Sequence, residues 1–307
     1  MKFKKIRTII LIMVCLLLFI GCGRQGYRPA NNPYQGSEGL NLRFVRNTPP
    51  DNVYELDVFP VGLILENRGA YDIERGVINF NVETDYIEKP IFEDYSIYLK
   101  GKSIHNIEGE EETRLFYFET KKMDVMSQIR RSTISVLACY EYGTTLKTEV
   151  CIDPDVYDIL RDRTKPCTVK EESFSGQGAP VGVVKLVPQI TPDINQDNVI
   201  IPQFELTIRN LNRGNVINTY SVYNYCSNER ISREDFNKVE IRAKLGGINL
   251  ECNPPIVQMN DRGEGKTICL LRNGIQGAST AYNSLLEVDL RYGYTSVIST
   301  DFRINRR

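Results

Sequence analysis

The chain has 307 residues, 41% hydrophobic and 25% charged, with 38 basic against 39 acidic side chains. That balance excludes the basic surface with which nucleic-acid binders neutralise phosphates. A single histidine, His105, excludes a zinc centre built from several histidines.

In chain order, Lys2, Lys4, Lys5 and Arg7 precede an apolar run over residues 9–20 that stops at Gly21-Cys22. The run falls short of the roughly 20 residues needed to cross a bilayer core, but it suits the apolar region of an export signal. Residues 1–21 are therefore read as a signal peptide and Cys22 as a lipid attachment site. An uncleaved anchor helix, or an ordinary signal with an incidental cysteine, would export the body equally. Phe19-Ile20-Gly21-Cys22 resembles the lipobox of prokaryotic lipoproteins, which implies that the cysteine becomes the new N-terminus and carries the lipid. Losing the signal leaves 34 basic against 39 acidic residues, a mature charge of −5. Residues 22–39, rich in Gly, Pro, Asn, Gln and Ser, have little to bury and are expected to form a flexible tether.

From Leu40 onward, short runs alternate apolar and polar residues between Gly, Pro, Asn and Asp, as in Ile134, Val136, Ala138 and Tyr140 or Leu286, Val288, Leu290 and Tyr292. This period of two predicts an all-β protein of two tandem immunoglobulin-like antiparallel sandwiches. Helical signal is sparse: one turn at residues 232–235 and a short linker helix at 154–161. A repeat sets the boundaries. Residues 61–69, ending Glu66-Asn67-Arg68-Gly69, are echoed by 204–214, ending Asn210-Leu211-Asn212-Arg213-Gly214. Residues 140–145 match 290–295, and a last strand follows each, 148–152 and 300–304. Domains at 40–153 and 167–307, joined by a linker at 154–166, follow.

Six cysteines remain after the signal: Cys139, Cys151, Cys167, Cys226, Cys252 and Cys269. An even number in an exported chain points to disulfides, with 15 pairings open. The repeat places Cys139 opposite Asp289 and Cys151 opposite Arg303, so where one half has two cysteines the other has an acid and a base. A final hairpin bonding Cys139 to Cys151 would explain this. Residues 238–245 and 248–252 flank Gly246-Gly247 as a hairpin, and the next run carries Cys269. Cys252 with Cys269 is the first choice there, which leaves Cys167 with Cys226.

Catalytic, cofactor and metal signatures do not emerge. His105 sits in a polar loop, and no Gly-x-Ser-x-Gly elbow exists to pair with it. Gly265-Lys266-Thr267 mimics the end of a phosphate loop, but Asn260 replaces its first glycine and a strand follows. Ser175-Gly176-Gln177-Gly178-Ala179-Pro180 reads as a crossover between strands. Residues 108–112, with four glutamates, read as a solvated loop, with a calcium site as the alternative. Acids adjacent in sequence, Glu93-Asp94 and Glu234-Asp235, point apart, whereas glycosidase chemistry needs two facing carboxyls. Tyr220, Tyr223 and Tyr225 are the densest aromatic group; on a strand, Tyr223 and Tyr225 would share a face.

Strands running into Asn-x-Gly or Asn-x-x-x-Gly resemble the immunoglobulin-like CARDB modules, a bacterial and archaeal type associated with adhesion. Residues 32–40, 66–73, 150–154 and 175–180 are similar to stretches of an uncharacterised family of archaeal membrane-anchored proteins. These resemblances imply location and architecture and bring no catalytic residue. The expected function is that of a non-enzymatic cell-surface lipoprotein that binds or spaces an envelope protein or glycan, anchored to the membrane by lipid and without a nucleic-acid partner. The alternatives are a structural subunit of an envelope secretion, pilus or transport assembly, and an enzyme acting on polymers through paired carboxylates.

Overall fold

A computed structural model describes residues 32–90, 95–124, 126–157, 164–277 and 279–307. Within them the protein is all-β. The first half holds β1 (Leu40–Phe44), β2 (Asn52–Tyr54), β3 (Val58–Asn67), β4 (Ile73–Asn81), β5 (Ile87–Glu88), β6 (Ser96–Leu99), β7 (Glu111–Thr120) and β8 (Ile129–Ile152). The second holds β9 (Glu172–Ser173), β10 (Val181–Pro192), β11 (Val199–Asn210), β12 (Val216–Ile217), the short helix α1 (Val222–Cys226), β13 (Lys238–Leu245), β14 (Ile248–Asn253), β15 (Ile256–Gln258), β16 (Glu264–Leu270), β17 (Ile275–Gln276) and β18 (Tyr282–Asn305). One sheet runs β1-β3-β7-β5; the other runs β6-β4-β8-β18-β13-β14-β16-β11-β10-β9.

Alternation decides which face of each strand is buried. In β3, Phe59, Val61, Leu63 and Leu65 are fully buried, and in β7 so are Phe116 and Phe118, while Leu115 and Tyr117 stay outside. Phe80 of β4 packs edge-on against Phe116 and Phe118, with ring centroids 4.9 and 5.1 Å apart. Each such side chain contributes about 1.5–3 kcal/mol by leaving water.

The spine of the molecule is a pair of 24-residue strands. β8 and β18 pair antiparallel along their whole length, from Tyr282 opposite Ile152 to Asn305 opposite Ile129. At about 3.4 Å per residue they extend for about 80 Å, longer than either half needs. β8 therefore begins beside β4 and ends beneath β10, where the Thr144 hydroxyl donates to the Val181 carbonyl. β18 begins beside β13 and ends in the first half, where Phe302 packs on Phe59 at 5.2 Å. Residues Pro33–Arg307 consequently form one compact unit.

This spine corrects the expected final hairpin. Residues 140–145 and 148–152 belong to one uninterrupted strand, so Cys139 and Cys151 share a face but lie about 40 Å apart along it. Gly143 lies inside this strand, where a Cβ would come within 2.6 Å of the Tyr71 ring. The disulfides are Cys139–Cys226, Cys151–Cys167 and Cys252–Cys269. The expected Cys139–Cys151 and Cys167–Cys226 bonds are thus replaced, and Cys252–Cys269 is as expected, on directly paired residues of β14 and β16.

The replaced pairing follows from an insertion the alternation does not announce. After β12 the chain leaves the sheet through a 3-10 turn, α1 and a second 3-10 turn over Arg233–Asp235, then returns as β13. The last turn is capped by the Ser232 hydroxyl, as residues 232–235 suggest. α1 lies on the outer face of β4 and β8, where Val222 and Cys226 bury Leu137 and Cys139. The Asn79 amide donates to the Cys226 carbonyl. Because residues 222–226 are helical, Tyr223 and Tyr225 do not share a face; Tyr225 instead packs edge-on against Phe236 at 5.7 Å.

Two other expectations change. The end of the tether is ordered: Pro33 and Gly39 are buried, and the Gly178 N–H donates to the Gly36 carbonyl at 2.8 Å. The linker folds back at its ends, with Lys165 2.8 Å from Asp153 and Cys167 bonded to Cys151. The signal, Cys22, the Glu93-Asp94 pair and residues 158–161 of the expected linker helix lie outside the described residues, and residues 154–157 are not helical.

Candidate functional site

The repeat is built on an asparagine at the end of β3 and of β11. Asn67 Oδ1 accepts from the Gly69 N–H and from the Tyr142 hydroxyl at 2.9 Å, while its amide donates to the Tyr71 and Leu99 carbonyls. Asn210 repeats the pattern: Oδ1 accepts from the Asn212 N–H and the Tyr294 hydroxyl at 3.0 Å, and the amide donates to Gly214. Asparagine supplies both an acceptor and two donors, so one side chain closes the loop and ties it to the spine.

Tyr140 and Tyr292 form a second matched pair. The Leu40 N–H donates to the Tyr140 hydroxyl, and the Val181 N–H donates to the Tyr292 hydroxyl. Ser296 donates to the Leu40 carbonyl as Thr144 does to Val181. Tyr142 therefore corresponds to Tyr294 and Tyr140 to Tyr292, two residues further along than the 140–145 match with 290–295 suggests. Across the spine Tyr140 faces Tyr294 and Tyr142 faces Tyr292, so the halves are related by a local two-fold through their centre. The four rings are buried, with centroids 5.5–6.4 Å from their neighbours. Burial raises all four hydroxyl pKa values, that of Tyr140 to about 12.

The two-fold does not hold along the edge of β1. A cleft of about 330 Å³ opens between β1 and β18, with Tyr140, Tyr294, Ser296 and Ile298 inside and Glu38, Asn41, Asn212, Arg213 and Asn215 around it. β1 is the edge of its sheet. The Arg68 N–H donates to Gly39 and the Val45 N–H to Gly62, so odd-numbered residues bond to β3 and even-numbered ones face the cleft. Leu40 is served there by Tyr140 and Ser296; the backbone groups of Leu42 and Phe44 have no hydrogen-bond partner on that side among the described residues. In the second half the same positions are occupied. The Gln177 carboxamide donates to the Val183 carbonyl and accepts from its N–H, both at 3.0 Å, and β9 pairs with Lys185 and Leu186.

The remaining sequence candidates fall elsewhere. His105 is exposed in a loop, Lys266 of the false phosphate motif pairs with Glu205 on the surface of β16, and residues 175–180 form the expected crossover. Among the described residues the cleft contains one carboxylate, Glu38. Leu42, Phe44, Ser296, Ile298 and Thr300 carry no motif. The available signal is the alignment of residues 32–40 with 175–180, which sets Gly36 against Gln177. The sequence matches no protein-family model and no curated protein.

Proposed function

We propose that this is a non-enzymatic lipoprotein of the extracytoplasmic face, held in the membrane through Cys22 and binding or spacing another component of the envelope. The three disulfides carry the reading, because such bonds persist in oxidising compartments. The basic and apolar signal ending at Gly21-Cys22 supports the lipid, and among the described residues no helix is long and apolar enough to cross a membrane. The likeness of the Asn-x-Gly strands to CARDB modules supports an adhesion-type role.

Two measurements test it. Replacing Cys22 with Ser should release the protein from the membrane fraction; retention would point to an uncleaved helix. Crosslinking in intact membranes should capture the same envelope component reproducibly, and its absence would count against a binding role.

A further inference from the structure

The occupied half shows what the open half lacks. Register makes Leu42 the counterpart of Val183, and Arg43 and Phe44 the counterparts of Lys185 and Leu186, with Val184 as a bulge. At Val183 the occupant is a carboxamide, which mimics a peptide bond; at Lys185 and Leu186 it is an extended strand running antiparallel. Glu172 of that strand accepts from the Thr148 hydroxyl at 2.9 Å, and Phe174 packs onto the core. Each floor residue has a twin on β18: Thr144 matches Ser296, Leu146 matches Ile298 and Thr148 matches Thr300. Leu146 and Leu186 are buried, whereas Ile298 and Phe44 are half-exposed. Among the described residues nothing covers Ile298 and Phe44 as Glu172 and Phe174 cover their twins.

We propose that the free edge of β1 takes an extended peptide strand of a partner protein, added antiparallel to β1, with a carboxylate at Thr300 and an aromatic side chain two residues on. The described N-terminal segment does not supply this strand, because Pro33 and Gly36 lie against Gly178 across the two-fold. The backbone groups of Leu42 and Phe44 provide the main-chain hydrogen bonds of strand addition, and Ile298 and Thr300 read alternate side chains. Arg213 at the rim offsets Glu38, the carboxylate on the same rim, so the cleft does not repel an acidic strand. A glycan would leave these paired backbone donors and acceptors half used. The proposal rests on the reading of the protein as a binding module and names the chemistry of its partner.

The test uses the full-length chain and a fluorescent peptide, Lys-Glu-Glu-Ser-Phe-Ser-Gly, copied from residues 170–176. Saturable binding is expected, weakened at least about tenfold by N-methylating the amides that face β1 and about three- to tenfold by Thr300→Val. Ile298→Lys, on a half-exposed floor position, should weaken it as well. The N-methylated peptide keeps the test decisive with the unaltered protein if a variant folds poorly. No saturation up to about 1 mM, an affinity too weak for a specific contact, or equal binding of the N-methylated peptide, would overturn the proposal. If crosslinking in membranes still captures the envelope component from the Ile298→Lys protein at the normal level, the binding role stands and the β1 edge is not its seat.

Discussion

At the scale of single residues, the centre of the molecule is four tyrosines that bury their rings and spend their hydroxyls on loop and strand backbone. Tyr292 accepts from Val181, Tyr294 from Gly214 and Tyr140 from Leu40. Losing such a partner inside the protein costs about 1–3 kcal/mol. Their ionisation has a definite sign. All four are held above the ordinary value of 10 by burial, Tyr140 to about 12. Below pH 10 the folded and unfolded chains are equally protonated and the full stability is present. Above pH 10 the unfolded chain loses protons that the folded one keeps, so each tyrosine removes about 1.4 kcal/mol per pH unit until its folded value is passed. Denaturant midpoints should thus fall steeply between pH 10 and 12, with tyrosinate absorbance appearing together with unfolding. Smooth ionisation of all the tyrosines in a still-folded protein would contradict the arrangement. The residue pattern was partly legible: Asn67 with Gly69, and Asn210 with Gly214, read as turns. That each asparagine also receives a tyrosine hydroxyl from the spine was not, because that bond spans 75 residues in one half and 84 in the other.

At the scale of elements, the helical insertion between β12 and β13 decides how the halves are locked. It carries Cys226 from the second half to Cys139 of the first, across 87 residues of chain. In the loop-entropy model, closing such a loop stabilises by about 4–5 kcal/mol, against about 3 kcal/mol for the 16-residue separation of Cys151–Cys167. The double substitution Cys139→Ser with Cys226→Ser should accordingly lower the denaturation midpoint more than Cys151→Ser with Cys167→Ser does. Equal losses would show that α1 stays in place through Val222 and the Asn79 hydrogen bond alone. The hairpin of β13 and β14 and its Cys252–Cys269 neighbour were readable, since Gly246 and Gly247, with φ of 54° and 84°, fix a tight turn and adjacent strands fix the pair. The other two bonds were not. A strand of 24 residues removes the hairpin that would join Cys139 to Cys151, and a five-residue helix leaves almost no periodic signal.

At the scale of the whole molecule, neither half holds a complete core. β18 delivers Phe302 and Ile304 to the first half, and β8 delivers Leu146, Val150 and Ile152 to the second. Fragments 33–157 and 164–307 made separately should lack cooperative unfolding transitions and show poorly dispersed amide spectra, and co-expression should restore both. A fragment that folds alone would show that the shared spine is dispensable. The same division explains why one cleft is open. The second half is preceded by chain that can turn back over β10 and be fixed by Cys151–Cys167, whereas the described first half has Gly36 where the second has Gln177.

By itself the sequence determined the strand class, the repeat, the signal pattern and one disulfide, because alternation, turn residues and an even cysteine count are local or compositional quantities. Only the tertiary structure decided that β8 and β18 run through both halves, that Cys139 reaches Cys226, and that β1 is left with an unpaired edge among the described residues. Those outcomes depend on which strand lies beside which, and backbone hydrogen bonding is blind to side-chain pattern until the register is set.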